Sequence, residues 1–228
     1  MSHRKAREVM TPHVITAGVD TPFKELAAIM ARRGVSTLPV LDGQGRVTGV
    51  VSEADLLPKQ EFQEDPKARP RQRWRRRAAR DRAAGTTAGD LMTAPAVTIG
   101  PDESVVAAAR LMERRKIKRL PVTGPDARLE GIVSRCDLVR VFLRPDTGIR
   151  DEIIDEVFTD YLGTDPALVR MTVTDGVVTL AGEVGKKSMI PFAVRMSRSV
   201  DGVVDVVDEL TFAVDDTRLP PVPDLTSY

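Results

Sequence analysis

The stretch "GVVSEADLL" at positions 49–57 returns as "GIVSRCDLV" at positions 131–139, 82 residues later. The same offset aligns further identical residues without a gap: Met10, Thr11, Thr16, Asp20, Met30, Leu38, Pro39 and Val40 match Met92, Thr93, Thr98, Asp102, Met112, Leu120, Pro121 and Val122. Residues 9–57 and 91–139 are therefore two copies of one structural unit of about 49 residues, and this duplication determines the architecture.

Composition indicates a globular chain. The 228 residues are 42% hydrophobic, enough for one large domain or two to three small ones with real cores. The 34 Lys and Arg balance 33 Asp and Glu, so the chain as a whole lacks the basic footprint of a nucleic-acid-binding protein. The one cysteine, Cys136, is predicted to be a small buried helix residue. The first ten residues hold no continuous apolar run and no stretch approaches 18 apolar residues, so we expect a soluble cytoplasmic protein.

Each copy predicts the order strand, helix, strand, strand, helix. In the first copy these are "VIT", "FKELAAIMARR", "STLPVLD", "RVTGVVS" and the segment after Ser52, with Gly34 ending the first helix. The second copy repeats the order with "SVVAAARLMERR", "RLPVT", "LEGIVS" and "RCDLVRVFL". A unit this short cannot bury both faces of its sheet alone. We therefore expect an α/β (α+β) fold in which two βαββα repeats pack as a pseudo-twofold pair and leave two related clefts.

A serine and an aspartate recur where the last strand of each copy meets the last helix. Ser52 and Ser134 are predicted at the N-cap, where backbone N–H groups and the positive end of the helix dipole attract phosphate. Asp55 and Asp137 lie one turn further, where a carboxylate can accept hydrogen bonds from two adjacent ribose hydroxyls. Ser-x-x-Asp at a helix start is also a capping arrangement. The local pattern leaves both interpretations, ligand binding and capping, open.

The duplicated motifs resemble the CBS domain, which occurs in tandem pairs called Bateman modules. The matching elements are "MTPHVIT" and "MTAPAVT", "TLPVLD" and "RLPVTG", and the two nine-residue stretches that open this section. The resemblance implies that Asp55 and Asp137 contact ribose hydroxyls, and that Ser52 and Ser134 lie near phosphate. It also implies that the base occupies apolar slots lined by Thr16, Pro39, Val40, Thr98, Pro121 and Val122.

The two clefts are expected to differ in charge. The second copy has Lys116, Lys118 and Arg119 where the first has Gly34, Ser36 and Thr37. Cations beside a helix start favour a polyphosphate, so we predict a better phosphate site in association with the second copy, with solvated surface cations as the alternative. Arg135 is placed to reach a phosphate, whereas its counterpart Glu53 would repel one. Gly49 and Gly131 are expected to let strand and ligand approach closely.

The C-terminal third is a different unit. Residues 149–161, "IRDEIIDEVFTDY", predict an amphipathic helix, and "LVRMTVTDGVVTLAGEV" predicts a hairpin that turns at Asp-Gly. A helix in "KKSMIPFAVRMSRS", which must begin or bend at Pro191, and a strand in "GVVDVVDELTF" complete it. The pattern resembles the BON domain, whose members are often envelope proteins thought to contact phospholipid. The favoured interpretation is a small interaction or dimerisation module, since we expect no export signal in this chain.

The segment that joins the repeats is basic. Residues 58–85 hold ten Lys and Arg against four acids, with Trp74 among them. Such a run can hold phosphates while the indole stacks on a base. The favoured interpretation is a surface helix whose cations pair with acidic faces of a neighbouring subunit, since one aromatic residue is little for a nucleic-acid platform.

These observations define an expected organisation and role. The predicted boundaries are CBS repeat 1 over 1–57, a basic linker over 58–88, CBS repeat 2 over 89–145, a BON domain over 149–214 and a Pro-rich tail over 215–228. We expect a non-enzymatic sensor that binds AMP, ADP, ATP or a related adenosyl ligand, requires no cofactor or metal, forms a homodimer and signals to a protein partner. The alternatives are a membrane or envelope adapter acting through the BON domain and nucleic-acid binding through the linker.

Overall fold

The computed structural model describes residues 3–64 and 84–217. Most of the predicted linker and of the Pro-rich tail, with the expectations attached to Trp74 and its neighbouring arginines, lies outside these ranges. The chain divides into two compact units: Arg4–Leu138, and Val139–Tyr228 together with residues 1–3. Each unit has the mixed helix and strand content that the sequence predicts.

The unit Arg4–Leu138 contains the two repeats. The first has α1 (Ala6–Val9), β1 (Ala17–Gly18), α2 (Phe23–Arg33), β2 (Thr37–Leu41), β3 (Val47–Ser52) and α3 (Glu53–Glu64). The second has α4 (Ala88–Leu91), α5 (Val105–Arg115), β4 (Arg119–Thr123), β5 (Leu129–Ser134) and α6 (Arg135–Val139). Helix α2 matches its prediction residue for residue and ends at Gly34, which adopts the left-handed conformation with φ 63°.

The first strand of each repeat is shorter than predicted. In place of "VIT", only Ala17 and Gly18 pair with β2, in parallel, and in the second repeat only Ile99 pairs with β4, opposite Val122. The reason is that the preceding chain crosses between repeats. Thr11 pairs with Ile132 in the second repeat, and Thr93 pairs with Val50 in the first.

The repeats exchange their N-terminal helices. Ala6 of α1 lies in the core of the second repeat, while Ala88 and Leu91 of α4 lie in the core of the first; all three are 0% exposed. The exchange is anchored by Ala6 N, which donates to Glu103 O at 2.8 Å, and by the equivalent bond from Ala88 N to Thr21 O at 2.9 Å. Each core is thus completed by the other repeat, which confirms the expected pseudo-twofold pair.

The second unit is a three-stranded sheet with helices. A 3₁₀ turn (Arg140–Leu143) precedes α7 (Asp146–Glu152), which continues directly as a π-helical segment (Ile153–Tyr161). A second 3₁₀ turn (Pro166–Leu168) follows. Strands β6 (Val169–Thr174), β7 (Val177–Lys186) and β8 (Asp205–Val214) form a sheet in that order, with α8 (Met189–Ser197) between β7 and β8. The β6–β7 pair is antiparallel and the β7–β8 pair is parallel.

The predicted Asp-Gly hairpin is confirmed, and a carboxylate from outside the turn stabilises it. Asp175 and Gly176 both have positive φ, 50° and 75°, as a type I′ turn requires. The carboxylate of Asp146 accepts hydrogen bonds from both turn N–H groups, each at 2.9 Å. The preceding helix therefore starts at Asp146, three residues before the predicted start at Ile149, because this aspartate ties the helix entry to the turn.

Candidate functional site

The two strand–helix junctions have the same backbone geometry. Ser52 ends β3 and α3 starts at the next residue; Ser134 ends β5 and α6 starts at the next residue. The first N–H of α3 donates to Ser36 O at 3.1 Å, and the first N–H of α6 donates to Lys118 O at 3.1 Å. The following helices differ, since α3 has 12 residues and α6 has five.

Each aspartate is held by the serine of its own junction. Asp55 Oδ2 accepts from Ser52 N at 2.9 Å and from Ser52 Oγ at 2.7 Å. Asp137 Oδ2 accepts from Ser134 N at 2.8 Å and Ser134 Oγ at 2.6 Å, and Asp137 N donates to Ser134 Oγ at 3.3 Å. The reciprocal capping box is therefore present at the second junction, and at the first the aspartate accepts from both serine donors. Neither arrangement excludes a ligand, because a carboxylate has about four acceptor positions.

The cations of the second repeat are distributed over both junctions. Arg119 is half-buried, and its Nη1 donates to Ser36 Oγ and lies 3.4 Å from Thr37 Oγ1 in the first repeat. Thr37 is the cross-strand partner of Ser52. The guanidinium of Arg119 thus lies beside the first junction, while the backbone of Arg119 pairs with Ser134 at the second. Lys118 and Arg135 are exposed residues flanking the second junction.

Lys116 is engaged on the surface. It occupies the left-handed C-cap position of α5 with φ 55°, and its ammonium pairs with Glu113. That hydrogen bond, with a smaller contribution from Arg135, holds the pKa of the Glu113 carboxyl below its ordinary value. Lys116 was predicted to favour a phosphate. In the structure it forms a surface ion pair at the end of a helix.

The predicted apolar slots are mostly core. Val40 and Val122 are 0% exposed and belong to the two hydrophobic clusters, as do Leu38 and Leu120 on the same faces of their strands. Their side chains pack inward, so only the backbone at these positions is available to border a ligand. Of the other predicted slot residues, Pro39 and Pro121 are buried at mid-strand, and Thr16 and Thr98 are half-buried just before β1 and Ile99.

Two glycines make room for methionine side chains. A Cβ at Gly49 would meet the side chain of Met92, and a Cβ at Gly131 would meet that of Met10. The two glycines were predicted to let a ligand approach the strand closely. In the structure, the exchanged segment of the other repeat makes that close approach. Cys136 also differs from its prediction, because it is exposed on α6, whereas the next residue, Asp137, is buried.

Over residues 3–64 and 84–217, none of the helices combines the length and apolar character required to cross a membrane. In the same ranges, no group of three or more His, Cys, Asp and Glu side chains is arranged to hold a metal ion.

The fold and its paired junctions define a tandem-repeat α/β module followed by a small α/β domain. Residues 6–60 and 88–144 match the CBS domain family, and residues 145–214 match the BON domain family. The chain belongs to the CBS-domain proteins and carries a BON domain after its CBS pair.

Relatives are similar to this chain at low identity. An uncharacterised protein of Methanocaldococcus jannaschii is 26% identical over 208 residues, which cover 89% of this chain and 47% of that protein. The chloroplastic CBS domain-containing protein CBSX2 of Arabidopsis thaliana is 30% identical over 151 residues, covering 60% of this chain and 63% of that protein. The chain thus spans about half to two-thirds of the length of these two relatives.

A solved structure of CBSX2 contains a nucleotide. The crystal structure of CBSX2 in complex with AMP is 28% identical to this chain and superposes with a TM-score of 0.53. The similarity covers 61% of this chain and 96% of the CBSX2 chain.

Proposed function

We propose that the CBS pair binds an adenine nucleotide or a related adenosyl ligand and that the protein is a non-enzymatic sensor. The observation that carries this proposal is the duplicated Ser–Asp junction, set in a pair of CBS domains similar to the one that binds AMP in CBSX2. Asp55 and Asp137 hold the ribose in this proposal, adding its hydroxyls to the hydrogen bonds that each carboxylate already accepts.

The first junction is the better candidate for the phosphate end. Arg119 brings a guanidinium next to Ser36 and Thr37, and the 12-residue helix α3 starts beside them. Arginine is suited to phosphate because its planar fork forms paired, charge-assisted hydrogen bonds. A phosphate at this junction would draw on both repeats, since Arg119 comes from the second and the helix start from the first.

Ligand binding would act on the arrangement of the repeats. Because each core is completed by a helix of the other repeat, a ligand that contacts both repeats favours the arrangement in which its contacts are best. The shift in population is limited by the difference in affinity between the two arrangements. The homodimer and the protein partner belong to the same proposal, with the BON domain as the interaction module that receives the signal.

Calorimetric titration tests the nucleotide site. AMP, ADP, ATP, NAD and S-adenosylmethionine are titrated into the full chain and into Asp55→Asn, Asp137→Asn and the control Asp20→Asn, an exposed carboxylate of the first repeat. Asparagine keeps an acceptor for the capping serine but removes the charge. We expect at least one ligand to bind below millimolar concentration and its affinity to fall about tenfold or more in one of the junction variants, but not in the control.

Two results would contradict parts of the proposal. If no adenosyl compound binds below millimolar concentration, the sensor function is wrong. If binding survives both junction variants unchanged, the ribose assignment is wrong. Arg119→Gln, compared with the exposed Lys118→Gln, locates the phosphate end: we expect Arg119→Gln to weaken ATP more than AMP, and equal effects of the two variants would reject the first-junction assignment.

A further inference from the structure

The two β-hairpin turns of the CBS pair meet across the pseudo-twofold axis. The backbones of Arg46 and Arg128 form an antiparallel pair, and the next residue after Arg46 donates its N–H to Ala127 O at 2.9 Å. Between the turns lies a groove of about 370 Å³, lined by Gln44, Arg46, Asp126 and Arg128. The 82-residue offset relates the first two of these residues to the last two, so the groove is built from two equivalent pairs.

The turns hold two positive charges close together. Like charges directly opposite each other on an antiparallel pair repel, and an anion between them would relieve the repulsion. Arg46 donates to the neutral amide oxygen of Gln44, and within the described part of the chain neither Arg46 nor Arg128 forms an ion pair. The carboxylate of the first turn, Asp42, accepts from the backbone N–H groups of Gln44 and Arg46, at 2.8 and 2.9 Å, and is attracted to the charge of Arg46 without forming a close ion pair.

The lining selects a class of ligand. Two guanidiniums from opposite sides suit a phosphate group, whose oxygens accept paired hydrogen bonds from each fork. Asp126 would repel a bare anion but accepts hydrogen bonds from hydroxyl groups, and Gln44 can donate or accept. The volume is at the lower end of small-molecule pockets. Phosphate beside hydroxyl groups, on a small carbon skeleton, therefore fits this lining best.

We propose that Arg46 and Arg128 form a phosphate site on the pseudo-twofold axis and that the groove binds a small phosphorylated polyol. The site is separate from the Ser–Asp junctions, because β3 runs from the turn at Arg46 to Ser52, roughly 20 Å at about 3.3 Å per residue. Each repeat supplies one arginine, so an occupied groove ties the two turns together. The inference does not depend on nucleotide binding at the junctions.

The test uses the full chain with glycerol 3-phosphate, inorganic phosphate and glycerol as probes at constant ionic strength. Amide chemical shifts report the location, and calorimetry reports the affinity. We expect glycerol 3-phosphate to bind saturably with shifts at Gly45 and Ala127, and to bind about tenfold or more weakly in Arg46→Gln and in Arg128→Gln. Glycerol alone should not bind. Asp126→Asn should improve the affinity for inorganic phosphate, because it removes a repelling charge.

Control variants separate this site from surface charge and from the junctions. Lys116→Gln removes an exposed cation of the same repeat, and Asp137→Asn alters the second junction. Neither should change glycerol 3-phosphate binding. The proposal is overturned if no saturable binding occurs at millimolar concentration, if both arginine variants bind as the wild type does, or if Asp137→Asn abolishes the binding.

Discussion

Replacing Gly131 with alanine tests the exchange of N-terminal segments between the repeats. An added Cβ would lie 2.8 Å from Met10 Cγ and 3.1 Å from Thr11 O. The backbone at Thr11 cannot retreat easily, because its N–H donates to Ile132 O at 2.9 Å and its carbonyl accepts from Ile132 N at 3.0 Å. Overpacking of this kind costs about 1–3 kcal/mol of unfolding free energy. Each kcal/mol corresponds to roughly 2–4 °C in Tm for a chain of this size.

Differential scanning calorimetry measures the loss, and two variants provide the comparison. Gly43→Ala is the matched control, because a Cβ there meets nothing within 4 Å; we expect it to change stability by less than about 0.5 kcal/mol. Met10→Ala removes the side chain nearest the new methyl group, so Gly131→Ala should cost less in that background than in the wild type. Equal Tm values for Gly131→Ala and Gly43→Ala would show that the segment is not seated against β5.

Three further predictions concern single side chains. Ser197→Ala should raise the free energy of unfolding by about 1 kcal/mol in a denaturant titration, because Ser197 Oγ is fully buried with no hydrogen-bond partner among the described residues; a loss would contradict this. Asp146→Ala should destabilise the BON domain by about 1–3 kcal/mol and speed hydrogen exchange at both hairpin-turn amides, because it removes both hydrogen bonds to the turn. Unchanged exchange rates at these amides would refute the role of Asp146 in holding the turn. Hydrogen bonds from two backbone N–H groups hold the pKa of Asp90 below its ordinary value. The stabilising contribution of Asp90 is therefore complete above about pH 4 and is lost as the pH falls from there through the lowered pKa. An NMR titration in which the pKa of the Asp90 carboxyl is unshifted would contradict this.

Several helices and turns could be predicted from the residues next to them in the sequence. The helix Phe23–Arg33 was predicted to the residue, because its apolar spacing, the preceding Pro22 and the closing Gly34 all act within a few residues of each other. The Asp175-Gly176 turn was predicted for the same reason, since positive φ at both positions is a property of those residue types. The Ser–Asp pattern likewise predicted the cap found at the second junction, although it could not decide whether a ligand binds at either junction.

The direction in which a side chain points could not be predicted from the sequence. Val40 and Val122, predicted to line ligand slots, have their side chains in the two cores, so that prediction now concerns their backbone. Arg119 is the cross-strand partner of Ser134 at the second junction, and its long side chain reaches Ser36 of the first repeat. Cys136 follows a buried strand, yet the direction of the helix leaves it exposed. Sequence spacing does not encode such directions across the pseudo-twofold axis.

The sequence by itself determined the duplication, the order of strands and helices, and the change to a different unit after the second repeat. These properties depend on periodicity and turn chemistry, which act over a few residues. The tertiary structure alone decided that α1 and α4 change places, that methionines fill the space beside Gly49 and Gly131, and that Arg46 meets Arg128. The physical reason is that neither repeat can bury its own sheet, so the contacts that complete each core come from the distant segment that belongs to the other repeat.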